Sequence, residues 1–378
     1  MKQNGETAAK RTEGTRSAGT DARRINSQAE GNPAKSGFTA GTTAAAAADS
    51  ISQYLQAKSG GFTADIQAAG KPIETGFTCI DAAAGGLYSG LYTVAAAPGV
   101  GKTTFCLQLA DQLAAAGHDV IFFSLEQGRA ELCAKSVTRY AAQLRETAPG
   151  GSSAAEITAN AFYSPQGAET AATINAAIKA YTESIKDRLT IVEGNFSCDV
   201  DYIRGYVGGY VERTARRPVV IVDYLQILQP ASGSGSGKEA VDDIATALKR
   251  TSREYNIPVI AISSVNRAGY LTPIEFESLK ESGAIEFSSD VVWGLQLAIL
   301  ADAETMRRKT EDARREILRK ELEKSPRQLQ FVCLKNRRGV TGYTGRLEYY
   351  PAQERFTEQP APARKRGAEG DPAAVPII

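Results

Sequence analysis

Small side chains and one lysine fill the segment from Ala96 to Thr104, which directly follows an apolar stretch. Backbone N–H groups can wrap around phosphates only where side chains are small, and a lysine that closes such a loop reaches the terminal phosphates. The sequence therefore predicts a nucleoside triphosphate site, with the hydroxyl of Thr103 on Mg²⁺. The expected ligands of the nucleotide are Ala97, Pro98, Gly99, Val100, Gly101, Lys102, Thr103 and Thr104.

The residues on either side of this loop agree with that interpretation. Residues 92–95 are typical of a buried strand, and residues 105–113 carry apolar side chains at helical spacing that stop near Gly117. Strand, loop and helix therefore follow one another in the order that a phosphate site needs. Position 96, where the full pattern has glycine, is alanine. The alternative is a glycine-containing turn with an incidental lysine.

Two later apolar segments each end on a carboxylate. Residues 119–126 end on Glu126, and residues 217–223 end on Asp223. Short apolar runs of this kind predict buried parallel strands, whose carboxyl ends face one crevice. We expect Glu126 to polarise an attacking water molecule and Asp223 to support Mg²⁺ through its water shell. The alternative for each carboxylate is a helix cap or a surface ion pair.

Helical and strand-like segments alternate after the phosphate loop. This alternation predicts an α/β fold with a mostly parallel, twisted sheet flanked by helices on both faces. The expected helices cover residues 130–144, 173–185, 202–213 and 239–255. The expected later strands cover residues 189–192, 258–263, 329–334 and 345–349.

Both ends of the 378-residue chain differ in composition from its middle. Residues 1–70 are rich in Ala, Gly, Thr and Ser, and residues 357–378 in Pro, Ala and Arg, which predicts disorder in both. Within the first of these segments, residues 43–58 predict a short helix. The folded domain is expected to span residues 71–356. Inside it, the charged segment 301–324 predicts a solvated helix, with a DNA-contacting arm as the alternative.

The overall composition argues against several classes of protein. The formal net charge is +1, so no overall field indicates nucleic acid and any basic surface must be local. Five cysteines without a C-x-x-C pair and a single histidine argue against a zinc site or a disulfide framework. The sequence has neither an apolar run of membrane-spanning length nor the apolar segment of a signal peptide. We therefore expect a cytoplasmic protein without a membrane partner.

Six motifs, taken in chain order, resemble those of one family. They are Ala-Pro-Gly-Val-Gly-Lys-Thr-Thr-Phe (97–105), Phe-Ser-Leu-Glu (123–126), Val-Asp-Tyr-Leu-Gln (222–226), Ile-Pro-Val-Ile-Ala-Ile-Ser-Ser-Val-Asn-Arg (257–267), Leu-Lys-Glu-Ser-Gly-Ala-Ile-Glu (279–286) and Lys-Asn-Arg-Arg-Gly (335–339). Across residues 76–356 the chain is similar to the C-terminal motor domain of hexameric replicative helicases of the DnaB type.

This resemblance implies a RecA-like P-loop NTPase fold, ATP and Mg²⁺ as cofactors, and a homo-oligomer in the form of a hexameric ring. It also implies movement on single-stranded DNA and 5′ to 3′ unwinding of duplex DNA during replication, with primase or a loader as a further partner. Lys335 and Arg337 match the family's finger residues, which reach the γ-phosphate bound by the adjacent subunit. From the residues alone, this cationic run is a solvated turn or a phosphate-backbone patch.

The resemblance also implies a set of DNA contacts. Lys280, Glu281 and Gly283 match the loop with which the family grips single-stranded DNA in its central channel. The Gly/Ser loop that ends in Lys238 is expected to line the same channel, and Arg267 is expected to join these contacts. Backbone amides and a few cations suffice to hold DNA without sequence preference.

The chain departs from the family's pattern in three ways. Ser264 stands where the family has a glutamine that senses the γ-phosphate, so coupling of hydrolysis to movement is expected to be weaker. Lys280 replaces an arginine and lacks its planar fork, and the family's N-terminal helical domain is expected to be absent. Two alternatives to a helicase follow: a RecA-like recombination or repair ATPase that binds DNA without unwinding it, and an ATP-binding helicase adaptor or loader. Intact Glu126, Asp223 and Arg337 argue against the adaptor.

Overall fold

The structure, a computed structural model, describes residues 50–57, 61–147, 157–164, 166–194, 198–226, 228, 237–279, 282–306 and 309–359. Residues 1–49 and 360–378, most of the two segments expected to be disordered, lie outside these ranges. So do Lys280 and Glu281 of the expected DNA loop, and of Lys238 only the backbone is described. The chain divides into two units, Met1–Phe62 and Thr63–Ile378.

Helix α1 (Ile51–Gln56) belongs to the first unit. It begins after Ser50, whose hydroxyl accepts the N–H of Gln53 at 3.2 Å, while the side chain of Gln53 accepts the N–H of Ser50 at 2.8 Å. This capping box fixes the N-terminal end of the helix. Helix α1 lies inside the range predicted from the sequence, 43–58, of which residues 43–49 and 58 are not described.

A sheet of nine strands, counted over the described residues, forms the centre of the second unit. Its strands are β1 (Gly90–Ala96), β2 (Val120–Ser124), β3 (Leu189–Glu193), β4 (Val219–Asp223), β5 (Pro258–Ser264), β6 (Val291–Leu297), β7 (Arg327–Asn336), β8 (Thr344–Tyr350) and β9 (Arg355–Glu358). They lie in the order β3-β2-β4-β5-β1-β6-β7-β8-β9. The first six strands of this order pair in parallel, and the last three add an antiparallel edge. The predicted mostly parallel sheet is confirmed.

Helices cover both faces of this sheet, as predicted. They are α2 (Phe62–Ala69), α3 (Thr78–Ala84), α4 (Lys102–Ala115), α5 (Arg129–Thr147), α6 (Ala168–Ile185), α7 (Val200–Thr214), α8 (Gly237–Tyr255), α9 (Ser282–Ser288), α10 (Ala303–Met306) and α11 (Glu311–Glu323). Successive strand residues point to opposite faces, so Phe122 joins the core that includes Phe105 of α4, whereas Phe123 joins the core that includes Ile203 of α7 and Leu248 of α8. None of the described helices combines the length and the apolar composition needed to cross a membrane.

Strand β6 has no counterpart among the elements expected from the sequence. All seven of its residues are buried, and Trp293 at its centre has no exposed surface. A short run that is apolar on both faces does not reveal by periodicity whether it is a strand or a buried helix. Because β6 is parallel to β1 and antiparallel to β7, it is the strand at which the sheet changes direction.

The boundaries of the folded domain differ from those expected, 71–356. Helix α2 lies inside the segment expected to be disordered, and strand β9 continues to Glu358. The carboxylate of Glu358 accepts the N–H groups of Thr78 at 2.6 Å and of Cys79 at 2.7 Å. These N–H groups begin helix α3 and have no acceptor within it, so a carboxylate at this position stabilises the helix. The last strand and the first helix against the sheet thus hold each other.

The charged segment 301–324 contains α10 and α11, with residues 307–308 between them outside the described part. Leu318 of α11 is buried. On the exposed side of the helix, Arg319 pairs with Glu316 at 2.8 Å and with Glu323 at 2.6 Å. These contacts agree with the solvated helix expected from the charge pattern, and each contributes little to stability because water screens it.

Asp111 of α4 and Arg139 of α5 form a buried ion pair, and its removal is expected to destabilise the protein. Arg139 Nη2 lies 2.7 Å from Asp111 Oδ2, and their side chains are 1% and 3% exposed. We expect Asp111→Ala to lower the free energy of unfolding by about 3–5 kcal/mol, because it leaves a buried guanidinium without its counter-charge. Urea titration of the nucleotide-free protein measures this.

The matched control is Glu254→Ala, which removes the partner of Arg204 in an exposed pair with N–O distances of 2.8 and 3.1 Å. That change is expected to cost less than about 1 kcal/mol. Equal costs for the two variants would contradict the role given to burial.

Candidate functional site

The segment between β1 and α4 turns twice through the left-handed backbone region. Gly99 has φ 78° and Gly101 has φ 99°, conformations that favour glycine. At Gly101 space is limiting as well, because a Cβ atom would lie 3.0 Å from Phe356 Cζ and 3.1 Å from Tyr349 Cε1. Gly101 is the N-cap of α4, so the N–H groups of the first turn of that helix point out of the loop. The segment has the form of an anion-binding loop.

Lys102, Thr103 and Asp223 meet where this loop faces the end of β4. Thr103 Oγ1 donates a hydrogen bond to Asp223 Oδ2 at 2.7 Å, and Lys102 Nζ donates to the carbonyl oxygen of Ala97 at 3.4 Å. The strand register explains the meeting, since Ser124 pairs with Asp223 and Ala96 pairs with Ser264, which brings four strand ends to one edge. This edge is the carboxyl end of the parallel strands, where ligands bind in such sheets.

A polar cavity of about 440 Å³ opens at this edge. Its lining residues are Pro98, Gly99, Gly101, Lys102, Thr103, Thr104, Glu126, Gln127, Lys135, Asp223, Tyr224, Ser264 and Tyr349. The structure thus brings together most of the residues expected to bind nucleotide and metal, with Glu126 beside them. Ala97 and Val100 instead line a neighbouring apolar cavity of about 280 Å³, between the phosphate loop and α11.

Burial changes the charges in the polar cavity. Burial raises the pKa of Asp223 to about 6, and the negative charge of Glu126 raises it further, whereas the hydrogen bond from Thr103 opposes the change. Burial also lowers the pKa of Lys102, against the attraction of Asp223 and Glu126. Removing two carboxylates from water costs free energy that a bound cation would recover. A hydroxyl, a buried carboxylate and a lysine at a helix N-terminus fit a metal-bound triphosphate.

Glu354 contributes to this site although nothing in the sequence indicates it. Its Oε2 accepts the hydroxyl of Thr104 at 2.7 Å, and its Oε1 lies 3.3 Å from Lys135 Nζ. Glu354 therefore fixes the second threonine of the phosphate loop and a lysine on the cavity wall. The hydroxyl of Thr104, which we expected to bind nucleotide, is turned towards Glu354. Sequence reasoning missed Glu354, Lys135 and Tyr349, because 250 positions separate Thr104 from Glu354.

Lys335 and Arg337, the expected finger residues, lie at the end of β7 and do not line the polar cavity of their own chain. Lys335 Nζ donates to the carbonyl oxygen of Glu286. Arg337 Nη2 donates to the carbonyl oxygen of Phe287 at 2.8 Å, and Arg337 Nη1 lies 3.6 Å from Asp290 Oδ1. Burial and the neighbouring Arg337 lower the pKa of Lys335. Both cations are thus bound at the C-terminal end of α9.

The expected DNA contacts are described only in part. Arg267 is exposed next to a short 3₁₀ turn, and Gly283 lies in the first turn of α9. The segment after β5 contacts the segment before α9, since Val265 bridges to Leu279 and the N–H of Asn266 donates to the carbonyl oxygen of Ser278 at 2.7 Å. Two of the segments expected to meet DNA are therefore adjacent at the edge that carries the polar cavity.

Comparison with known proteins gives one family. The family model described as DnaB-like helicase C terminal domain matches residues 72–358. The replicative DNA helicase DnaB of Leifsonia xyli subsp. xyli (strain CTCB07) is 30% identical over 230 residues, covering 58% of this chain and 45% of the relative. The replicative DNA helicase DnaC of Bacillus subtilis (strain 168) is 30% identical over 252 residues, covering 62% and 49%. The chain spans about half the length of the curated relatives it matches.

Two solved structures have a similar fold. One is an isolated ATPase domain, which superposes with a TM-score of 0.60 at 22% identity, covering 78% of this chain and 95% of that one. The other, a DnaB-like replicative helicase studied with its interactions with primase, gives a TM-score of 0.61 at 23% identity, covering 78% and 64%. The RecA-like fold predicted from the sequence is thereby confirmed.

Proposed function

Because the chain belongs to the family of DnaB-like helicase C-terminal domains, we propose that it hydrolyses ATP with Mg²⁺ to move on single-stranded DNA and to unwind duplex DNA during replication. In this proposal the active sites lie between subunits of a hexameric ring that works in the cytoplasm with 5′ to 3′ polarity. The observation that carries the proposal is the polar cavity in which Lys102, Thr103, Glu126 and Asp223 face one another.

Each of these four side chains has a distinct task in the proposal. Lys102 and the N–H groups that begin α4 would bind the phosphates. Thr103 and Asp223 would hold Mg²⁺, Asp223 through its water shell, and the metal when bound would neutralise phosphate charge. Glu126 is exposed at the mouth of the cavity, where a carboxylate can polarise the attacking water.

The finger assignment of Lys335 and Arg337 rests on their distance from their own site. Neither residue lines the polar cavity of its own chain, yet each places a cation at a strand end, bound to carbonyl oxygens of α9. Cations placed in this way can act on a phosphate only if another subunit presents it. This supports hydrolysis at subunit interfaces, where such a finger contributes several orders of magnitude in rate.

We also propose the DNA contacts and the protein partners. Lys238, Arg267, Lys280, Glu281 and Gly283 would contact single-stranded DNA, and the adjacency of the segments on either side of residues 268–278 supports this. Primase or a loader would be a further partner. The solved DnaB-like helicase studied with its interactions with primase is the precedent.

The test is steady-state ATP hydrolysis with and without single-stranded DNA, at two protein concentrations. Stimulation by DNA, with specific activity that rises with protein concentration, is expected because each site would need a neighbouring subunit. Unwinding of a forked duplex would then separate a helicase from the alternative, a RecA-like ATPase that binds DNA without unwinding it. Ser264 favours that alternative, since it lines the cavity at the position of the family's sensing glutamine. Hydrolysis that ignores both DNA and concentration would contradict the proposal.

The affinity for Mg²⁺–ATP is expected to fall as the pH is lowered through about 6. The pKa of Asp223 is raised to about 6, so below that pH the carboxylate takes up a proton and loses the charge that attracts the metal. The loss approaches about tenfold per pH unit. It can be measured by Mg²⁺ titration of the protein with a fluorescent ATP analogue between about pH 5 and pH 8.

Asp223→Asn is the control for this dependence. ATP itself titrates in the same range and does so equally with both proteins, so the difference between them isolates Asp223. The variant should bind Mg²⁺–ATP weakly over the whole pH range. The same pH dependence in both proteins would remove Asp223 from the metal site.

A further inference from the structure

Asp290, the residue before β6, is fixed to the sheet from two sides. Its N–H donates to the carbonyl oxygen of Leu91 at 2.7 Å, and its Oδ2 accepts the N–H of Leu91 at 2.8 Å. Its carbonyl oxygen accepts the N–H of Arg337 at 2.9 Å. Its side chain is 17% exposed, so the carboxylate stands at a fixed place between β1 and the end of β7. It therefore lies beside the expected finger.

Two cations compete for this carboxylate. Lys249 Nζ, from α8, forms a hydrogen bond and ion pair with Asp290 Oδ2, and the side chain of Lys249 is 14% exposed. Arg337 Nη1 lies 3.6 Å from the other oxygen, Oδ1. A direct charge-assisted hydrogen bond between guanidinium and carboxylate has a length of about 2.7–2.9 Å, and such pairs are often bidentate. Arg337 is therefore near Asp290 but not bonded to its side chain.

The charges explain the difference. Lys249 lies close to Arg253 and Arg337, whose charges oppose its own, and burial further lowers its pKa, while Asp290 acts in the opposite direction. With Lys249 in place, one carboxylate oxygen is already paired, and the remaining attraction for Arg337 is weakened. Arg337 keeps a 45% exposed side chain and a hydrogen bond to the carbonyl oxygen of Phe287.

We propose that Lys249 is a positioning residue for the finger: by pairing with Asp290, it prevents that carboxylate from capturing Arg337 and keeps the guanidinium available to the nucleotide of the adjacent subunit. The inference rests on the proposed function. Without Lys249, Asp290 and Arg337 would close into a bidentate pair within one subunit, and the finger would be withdrawn.

The proposal predicts a loss and a rescue. Lys249→Met is expected to lower ATP turnover about ten- to a hundredfold with little change in KM, because a misplaced catalytic group costs rates of that order. Adding Asp290→Asn to Lys249→Met should restore most of the turnover, because a neutral amide does not capture Arg337. A lysine that merely stabilises the fold would give the opposite result, since the second change adds damage.

Mixed rings separate this proposal from the proposed function. Subunits with Glu126→Gln would supply intact fingers to subunits with Arg337→Ala, so a mixture of the two should hydrolyse ATP at least about tenfold faster than either alone. If the mixture stays inactive, action between subunits is wrong, and the role of Lys249 with it. If the mixture is active, adding Lys249→Met to the Glu126→Gln subunit should abolish the gain, and further adding Asp290→Asn should return it.

Two further variants on the same helix serve as controls. Arg250→Met removes an exposed cation next to Lys249 and should leave the gain in mixed rings unchanged. Lys249→Arg keeps the charge that pairs with Asp290 and should keep most of the turnover, which also shows that the site tolerates substitution. The proposal is overturned if Lys249→Met subunits still supply working fingers, if Asp290→Asn gives no rescue, or if Lys249→Arg is as inactive as Lys249→Met.

Discussion

Replacing Glu126 by glutamine is expected to lower ATP turnover by about 10²- to 10⁴-fold, the usual contribution of a general base. The amide cannot accept a proton from the attacking water, whereas its size and hydrogen bonding leave the cavity intact. Affinity for ATP should stay within about threefold, because Lys102, Thr103 and the N–H groups of the loop are unchanged. Steady-state hydrolysis gives the turnover, and titration with a fluorescent ATP analogue gives the affinity.

A neighbouring carboxylate provides the control for this experiment. Glu131 lies in the first turn of α5 and does not line the polar cavity. Glu131→Gln removes the same charge a short distance further along the chain and should leave turnover within about twofold. If Glu126→Gln also retained wild-type turnover, another group would have to activate the water. Lost nucleotide binding would show instead that Glu126 acts on the ligand in its ground state.

Replacing Arg337 by alanine is expected to lower turnover by about 10³- to 10⁵-fold without changing the affinity of the isolated subunit for ATP. The reason is geometric, since Arg337 is bound at the end of α9, outside its own polar cavity. It can stabilise transition-state charge only in a neighbouring subunit. Hydrolysis and nucleotide binding should be measured on the same preparation, together with the size of the oligomer.

Arg338 is a matched control for Arg337. Its guanidinium lies 5.5 Å from the ring centroid of Tyr88, so it is held against its own subunit. Arg338→Ala should keep turnover within about threefold, because it removes an exposed cation–π contact of modest energy. Equal losses in the two variants would mean that the cationic run acts as a whole, as a solvated turn or a backbone patch would. A loss of oligomer in Arg337→Ala would make that residue structural.

The parts of the site that the sequence predicts are those within one local segment. Gly99, Gly101, Lys102 and Thr103 belong to a single loop whose small residues indicate its backbone conformation. Asp223 could be predicted because an apolar strand ends on it, and parallel pairing then brings it to Thr103. Local pattern plus the rule for strand ends therefore predicted the centre of the cavity.

The parts that the sequence does not predict depend on contacts between distant segments. Glu354 reaches Thr104 from a turn between β8 and β9, in a conformation with φ 48° that no pattern indicates. Lys249 and Asp290 meet because α8 packs near the start of β6, a strand too uniformly apolar to be recognised. In each case the side chain has an ordinary surrounding sequence, and only packing of the whole sheet gives it a partner.

The hydrogen bonds between α4 and β9 have a consequence for how the protein is made. Gln108 Nε2 donates to the carbonyl oxygen of Phe356 at 2.9 Å, and the N–H of Phe356 donates to Gln108 Oε1 at 2.8 Å, so one glutamine pairs with the last strand as another strand would. These partners are separated by 248 positions. On the ribosome, the helix that cradles phosphate is therefore synthesised early and remains without this support until translation of the folded part is nearly complete. Nucleotide binding by nascent chains is accordingly expected only after residue 359 has emerged, and chains released earlier are substrates for chaperones.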